Sequence, residues 1–152
     1  MRILDATCST RSMWFDKQFP DCTYIDIREE VEPDKVMDCR HTDFPAGEFD
    51  LILFDPPHLN MGKTSIMAQH YGHFTTAEIL NLIAEAFIEF ARILKPDRLV
   101  LLKWNNHDIK LERILKLIPS NFKPLFGQSV AYRTKHSSQT YWVSILKLKE
   151  SK

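Results

Sequence analysis

The sequence predicts an α/β fold: a mostly parallel sheet flanked by helices, with one antiparallel strand near the C-terminus. Three observations predict it. Short apolar runs alternate with segments of helical period along most of the chain. Runs such as "DLILF" (50–54) and "RLVLL" (98–102) are nearly continuous, as strands buried on both faces require. The chain then closes on two apolar runs joined by the polar turn "KHSS", which read as a hairpin and so supply the antiparallel strand.

Taken in order, "RILDA" (2–6) is a short strand, and "STRSMWFDK" (9–17) follows with helical spacing at Met13, Trp14 and Lys17. "CTYIDI" (22–27), "DKVMD" (34–38) and "FDLILFD" (49–55) are the next strands. Residues 75–95 carry the clearest helix, with Ile79, Leu80, Ile83, Ala86, Phe87, Phe90, Ala91 and Leu94 on one face. Thr75 and Glu78 have capping-box spacing at its start, and Pro96 stops it. "RLVLLKW" (98–104) is a fifth strand. A second helix presents Leu111, Ile114, Leu115 and Ile118, and the hairpin runs through 124–134 and 139–149.

A length of 152 residues with no Ser/Gly/Pro-rich linker suits one domain spanning 1–152. No apolar run approaches the roughly 20 residues of a membrane span. The N-terminus carries no basic leader, so a cytoplasmic protein without a membrane is expected. Net charge is zero, with 20 basic and 20 acidic residues, so bulk electrostatics announce no nucleic-acid partner. The distribution is uneven: acids dominate 16–55, and the chain from Lys95 onward is rich in Lys and Arg. Cys8, Cys22 and Cys39 are odd in number and show no CxxC pair. They read as buried reduced thiols, and no metal is expected.

In a parallel sheet, ligands bind beyond the carboxyl ends of the strands. Asp5, Asp26, Asp38 and Asp55 each stand at or beside such an end. Four carboxylates gathered along one edge repel one another unless something shares them. An acid after the second strand can take both ribose hydroxyls of an adenosine-containing ligand, which suits Asp26. Asp38 can accept from an adenine amino group. Free amides at Ser9 to Ser12, opening the first expected helix, can hold a carboxylate.

"ILDATCSTRSMWF", "YIDIR", "VMDCR" and "LILFDPPH" resemble, in order and strand-end placement, successive motifs of the class I S-adenosylmethionine-dependent methyltransferases. The resemblance covers nearly the whole chain and implies their Rossmann-like fold. "DPPH" is similar to the motif of enzymes that methylate exocyclic amino groups of bases. The resemblance implies S-adenosylmethionine as cofactor, held by Asp5, Ala6, Thr7, Cys8, Ser9, Arg11, Asp26, Ile27, Asp38, Cys39 and Asp55. Asp55, Pro56, Pro57 and His58 become the catalytic set. The first loop, "DATCST", has no glycine; Ala6, Thr7 and Ser9 are small enough for close backbone approach. No GxGxxG follows the first strand, which argues against a dinucleotide dehydrogenase.

The chemistry fits the residues. Asp55 and the Pro56 carbonyl can accept hydrogen bonds from an amine, and Pro56 and Pro57 fix the turn that aims them. His58 can stack on a base or move a proton. Lys63 and Tyr71, in the long connection 59–74, and Lys103 and Trp104, after the fifth strand, are expected to contact substrate. Arg133, Lys135 and His136 form a basic turn that can touch a phosphate backbone or guard a sheet edge. The expected acceptor is a base in DNA or RNA, with a homodimer or partner subunit supplying target recognition. A small-molecule or protein acceptor, or a non-catalytic methyltransferase-like subunit, are the alternatives.

Overall fold

A computed structural model of the protein describes residues 1–58, 74–130 and 139–149. Its strands are β1 (Ile3–Asp5), β2 (Cys22–Asp26), β3 (Lys35–Val36), β4 (Phe49–Phe54), β5 (Leu94–Asn105), β6 (Phe122–Val130) and β7 (Thr140–Lys147). Helix α1 (Thr76–Ile93) lies between β4 and β5, and α2 (Leu111–Leu115) between β5 and β6. A 3₁₀ turn covers Glu29–Val31. The seven strands form one sheet in the order β3-β2-β1-β4-β5-β7-β6. Strands β1, β2, β3, β4 and β5 pair in parallel, and β7 runs antiparallel to both β5 and β6. It is the antiparallel strand the closing hairpin predicts. Strand order reverses at β1, which lies between β2 and β4, so the carboxyl ends of these strands flank a crevice.

Helix α1 forms for the reasons visible in its sequence. Thr75 Oγ1 accepts from the Glu78 amide at 3.2 Å, and the Glu78 carboxylate accepts from the Thr75 amide at 2.7 Å. The stripe Ile79, Ile83, Ala86, Phe87, Phe90 and Ile93 is buried against the sheet. Phe54 meets Phe90 edge to face at 5.0 Å. Each fully buried aromatic or branched side chain contributes about 1.5–3 kcal/mol, so this stripe fixes β4 and β5 beneath the helix. The helix ends at Ile93, before Pro96: Leu94 is already extended (ψ 136°), and β5 begins there. Helix α2 likewise stops at Leu115, short of Ile118.

The largest departure is at residues 9–17, where no helix forms. Ser9 (φ 46°) and Arg11 (φ 55°) take left-handed conformations, which cannot continue a right-handed helix. Trp14 and Phe19, from this run of turns, cover Ile3, Cys22 and Tyr24 on the face of the sheet opposite the main core. Trp14 therefore has its apolar neighbours, but from a loop. Among the described residues, no helix is long and apolar enough to cross a membrane.

Candidate active site

The crevice at the carboxyl ends is a cavity of about 680 Å³. Its walls include Ala6, Thr7 and Ser9 after β1, Asp26 and Ile27 after β2, and Asp38 and Cys39 after β3. Asp55 to His58 follow β4, and Lys103 comes from β5. Phe74, Glu78, Asn81 and Leu82, at the entry of α1, form the far wall. Ile27 keeps 58% of its surface exposed, an apolar wall unusual at a turn.

The acids do not simply repel one another, because three of them have internal cations. Arg28 grips Asp26 through Nε (2.9 Å) and a terminal nitrogen (3.0 Å), and the Ser9 amide adds a bond at 2.9 Å. Burial pushes the Asp26 carboxyl up, but these bonds outweigh it and hold it below the usual range. Arg40 holds Asp38 in the same way, at 2.6–3.1 Å, and lowers its carboxyl despite partial burial. Arg40 also reaches Glu85 on α1 at 3.1 Å. The third cation, Lys103, lies 2.7 Å from Asp55 Oδ2.

Asp55 differs in one respect. Its Oδ1 is buried, and among the described residues it has no hydrogen-bond partner. Its amide donates to Thr7 Oγ1 at 2.9 Å, tying the end of β4 to the first loop. His58 Nδ1 lies 3.2 Å from the Pro56 carbonyl and 3.9 Å from Asp55 Oδ1. A ring nitrogen that donates to Pro56 leaves Nε2 as the imidazole's acceptor. The turn thus presents two acceptors side by side, a carboxylate oxygen and a carbonyl that has a second lone pair.

Four of the expected site residues are not among those that line the cavity. Asp5 is fully buried, away from the cavity wall, accepting from Trp14 Nε1 at 2.7 Å. Register places it between Tyr24 and Leu53, under Trp14, where burial lifts its carboxyl to about 6 against the Trp14 bond. Cys8 packs beneath the sheet with Ile3 and Tyr24, and burial pushes its thiol up to about 12. Arg11 lies over the Tyr24 ring at 4.0 Å and bonds Asp34 at 3.0 Å, so it braces the β2–β3 connection. Trp104 is wholly buried in the main core and donates to the Ile109 carbonyl at 2.9 Å. Its ring meets that of His58 edge to face at 6.1 Å. Of the amides offered for a carboxylate, Ser9 donates to Asp26 and Arg11 to the Cys8 carbonyl, while Thr10 and Ser12 border the cavity. Lys63, Tyr71, Arg133, Lys135 and His136 lie outside the described residues.

Sequence reasoning missed Arg28 and Arg40 as members of the site. The signal was present: "DIR" and "DCR" repeat the same Asp-x-Arg spacing at two successive strand ends. Phe74 and Asn81 gave no such sign, since their place on the wall follows from how α1 crosses the crevice.

No protein-family model matches the chain, and no curated protein matches it. Solved structures do match. The cyclase SpnF superposes with a TM-score of 0.67 at 12% identity, over 97% of this chain and 75% of its own. TrmN from Thermus thermophilus gives 0.64 at 17% identity, over 97% of this chain and 44% of its own. The N-methyltransferase NodS from Bradyrhizobium japonicum, in complex with S-adenosyl-L-homocysteine, gives 0.64 at 11% identity, over 95% of this chain and 77% of its own. The protein thus has the Rossmann-like fold found in methyltransferases, a fold that also supports a cyclase.

Proposed function

We propose that the protein is an S-adenosylmethionine-dependent methyltransferase acting on an exocyclic amino group of a base in DNA or RNA. The carrying observation is Asp55 Oδ1, a buried and unpartnered acceptor beside the Pro56 carbonyl at the head of the cavity. Two acceptors suit the two N–H bonds of a primary aromatic amine. Their pull draws the nitrogen toward tetrahedral geometry and frees its lone pair, and the rigid Pro-Pro turn keeps them aimed.

The cavity's donor and acceptor set fits the cofactor. Asp26 would take the ribose hydroxyls in exchange for its Arg28 contacts, Asp38 and Cys39 would border the adenine, and Ile27 would lie against it. When bound, the cofactor would supply an electrophilic sulfonium methyl to the amine held by Asp55 and the Pro56 carbonyl. The amine proton left over can pass to His58 Nε2 and on to solvent, since His58 is 27% exposed. The 152-residue unit is then a catalytic core, and target recognition falls to its loops, a second copy or a partner subunit.

The test is transfer of radiolabelled methyl from S-adenosylmethionine to DNA, RNA and cell extract in parallel, with mass spectrometry of the labelled product. Label on an exocyclic nitrogen of a base supports the reading, and label confined to protein or small molecules overturns the choice of acceptor. One observation favours a second reading, a cofactor-free subunit: the Asp26 carboxylate is already saturated by Arg28 and the Ser9 amide.

A further inference from the structure

We propose that Lys103 is a positioning residue for Asp55 rather than a contact to substrate, an inference that rests on the amine reading above. Parallel pairing of β4 with β5 aligns Leu53 with Leu101 and Phe54 with Leu102. The next step of that register brings Asp55 and Lys103 to the same level on the same face, so the 2.7 Å contact follows from the sheet itself. Asp55 can turn about its terminal torsion, and a free carboxylate would exchange its two oxygens. With Oδ2 held by the ammonium, Oδ1 is the oxygen left to accept from the amine.

The surroundings make that choice matter. His58 Nδ1 is 3.9 Å from Oδ1, near enough to capture the carboxylate after a small rotation. Such a turn would give the amine's acceptor to the imidazole and pull His58 off the Pro56 carbonyl. Lys103 is itself steadied, with Nζ 6.0 Å from the centre of the Trp142 ring across the β5–β7 pair. The lysine therefore sets the direction of the carboxylate from the side away from the His58 turn.

Lys103→Met and Lys103→Arg test the assignment. With deproteinised RNA and unmethylated DNA as acceptors, Lys103→Met should lower kcat about 10- to 100-fold, the effect of a misplaced contact group. Lys103→Arg should recover most of that loss. Calorimetric affinity for S-adenosyl-L-homocysteine should change less than threefold, because the cofactor's acids, Asp26 and Asp38, are untouched. A crystal structure of Lys103→Met should find the Asp55 carboxylate turned onto His58. An unchanged kcat, or a carboxylate that keeps its direction without the lysine, would overturn the proposal. A wild-type chain that labels no acceptor overturns the amine reading instead, and the carboxylate's direction in Lys103→Met still decides the role of Lys103.

Discussion

Strand β4 carries an aspartate near each end, and the two are in opposite circumstances. Asp50, at the amino end, accepts from the Arg2 amide at 2.8 Å and Lys95 Nζ at 3.0 Å, with Arg98 at 3.4 Å. That backbone bond, with Lys95 behind it, holds its carboxyl down at about 2. Beside it lies a second cleft of about 510 Å³, bordered by Met1, Leu51, Asp97, Arg98 and Leu99. Asp55, just beyond the carboxyl end, has one cation and one bare buried oxygen. The residue type is the same and the strand is the same. What separates a structural acid from a candidate working one is whether its lone pairs are already committed.

Asp5 adds a third case, committed to Trp14 but buried, so its charge is a burden. Substitutions can break or sharpen these distinctions. The largest effect belongs to Asp55→Ala, which should lower methyl transfer about 10²- to 10³-fold, the cost of removing one polar group aimed at the reacting centre. Its thermal midpoint should stay within a few degrees of wild type, which calorimetry can check.

Next comes Asp5→Asn, read as stability against pH. Burial raises the Asp5 carboxyl from 3.8 to about 6. A raised carboxyl leaves stability intact below its unfolded value and removes it as pH rises through the folded value. Between pH 4 and 7 the wild type should therefore lose about 2–3 kcal/mol relative to Asp5→Asn. Urea titrations at each pH measure this, and parallel profiles would mean that Asp5 carries no such burden.

Asp26→Ala should weaken S-adenosyl-L-homocysteine about 10- to 100-fold, the worth of hydrogen bonds to a charged group. The smallest effect is at Asp50→Asn, which should cost about 1 kcal/mol, as exposed ion pairs do, and leave methyl transfer unchanged. A lowered carboxyl contributes stability above its unfolded value and loses it as pH falls toward the folded one. The Asp50 contribution should thus fade between about pH 4 and pH 2, seen in acid melts of the two proteins.

Much of this was legible in the sequence because it is local. The capping box at Thr75 and Glu78, the stripe on α1 and the apolar runs of β4 and β5 each follow from periodicity or spacing within a few residues. The line of aspartates was legible for the same reason, since each ends its own strand. The helix expected over 9–17 was not there, because the spacing of Met13, Trp14 and Lys17 says nothing of a carboxylate seventeen residues beyond Ser9 that claims its amide. Asp5 was placed in the right row and at the wrong depth. Its side chain faces Trp14, and only the folded loop reveals that cover. Lys103 was placed in the pocket, but its pairing with Asp55 needed the register of β4 against β5.

The claim that these strand ends form a cofactor site is tested most directly by titrating S-adenosyl-L-homocysteine into the wild-type protein in a calorimeter. The account predicts saturable one-to-one binding that Asp26→Ala weakens. No heat of binding at millimolar ligand would contradict it, and would leave Arg28 as the permanent partner of Asp26.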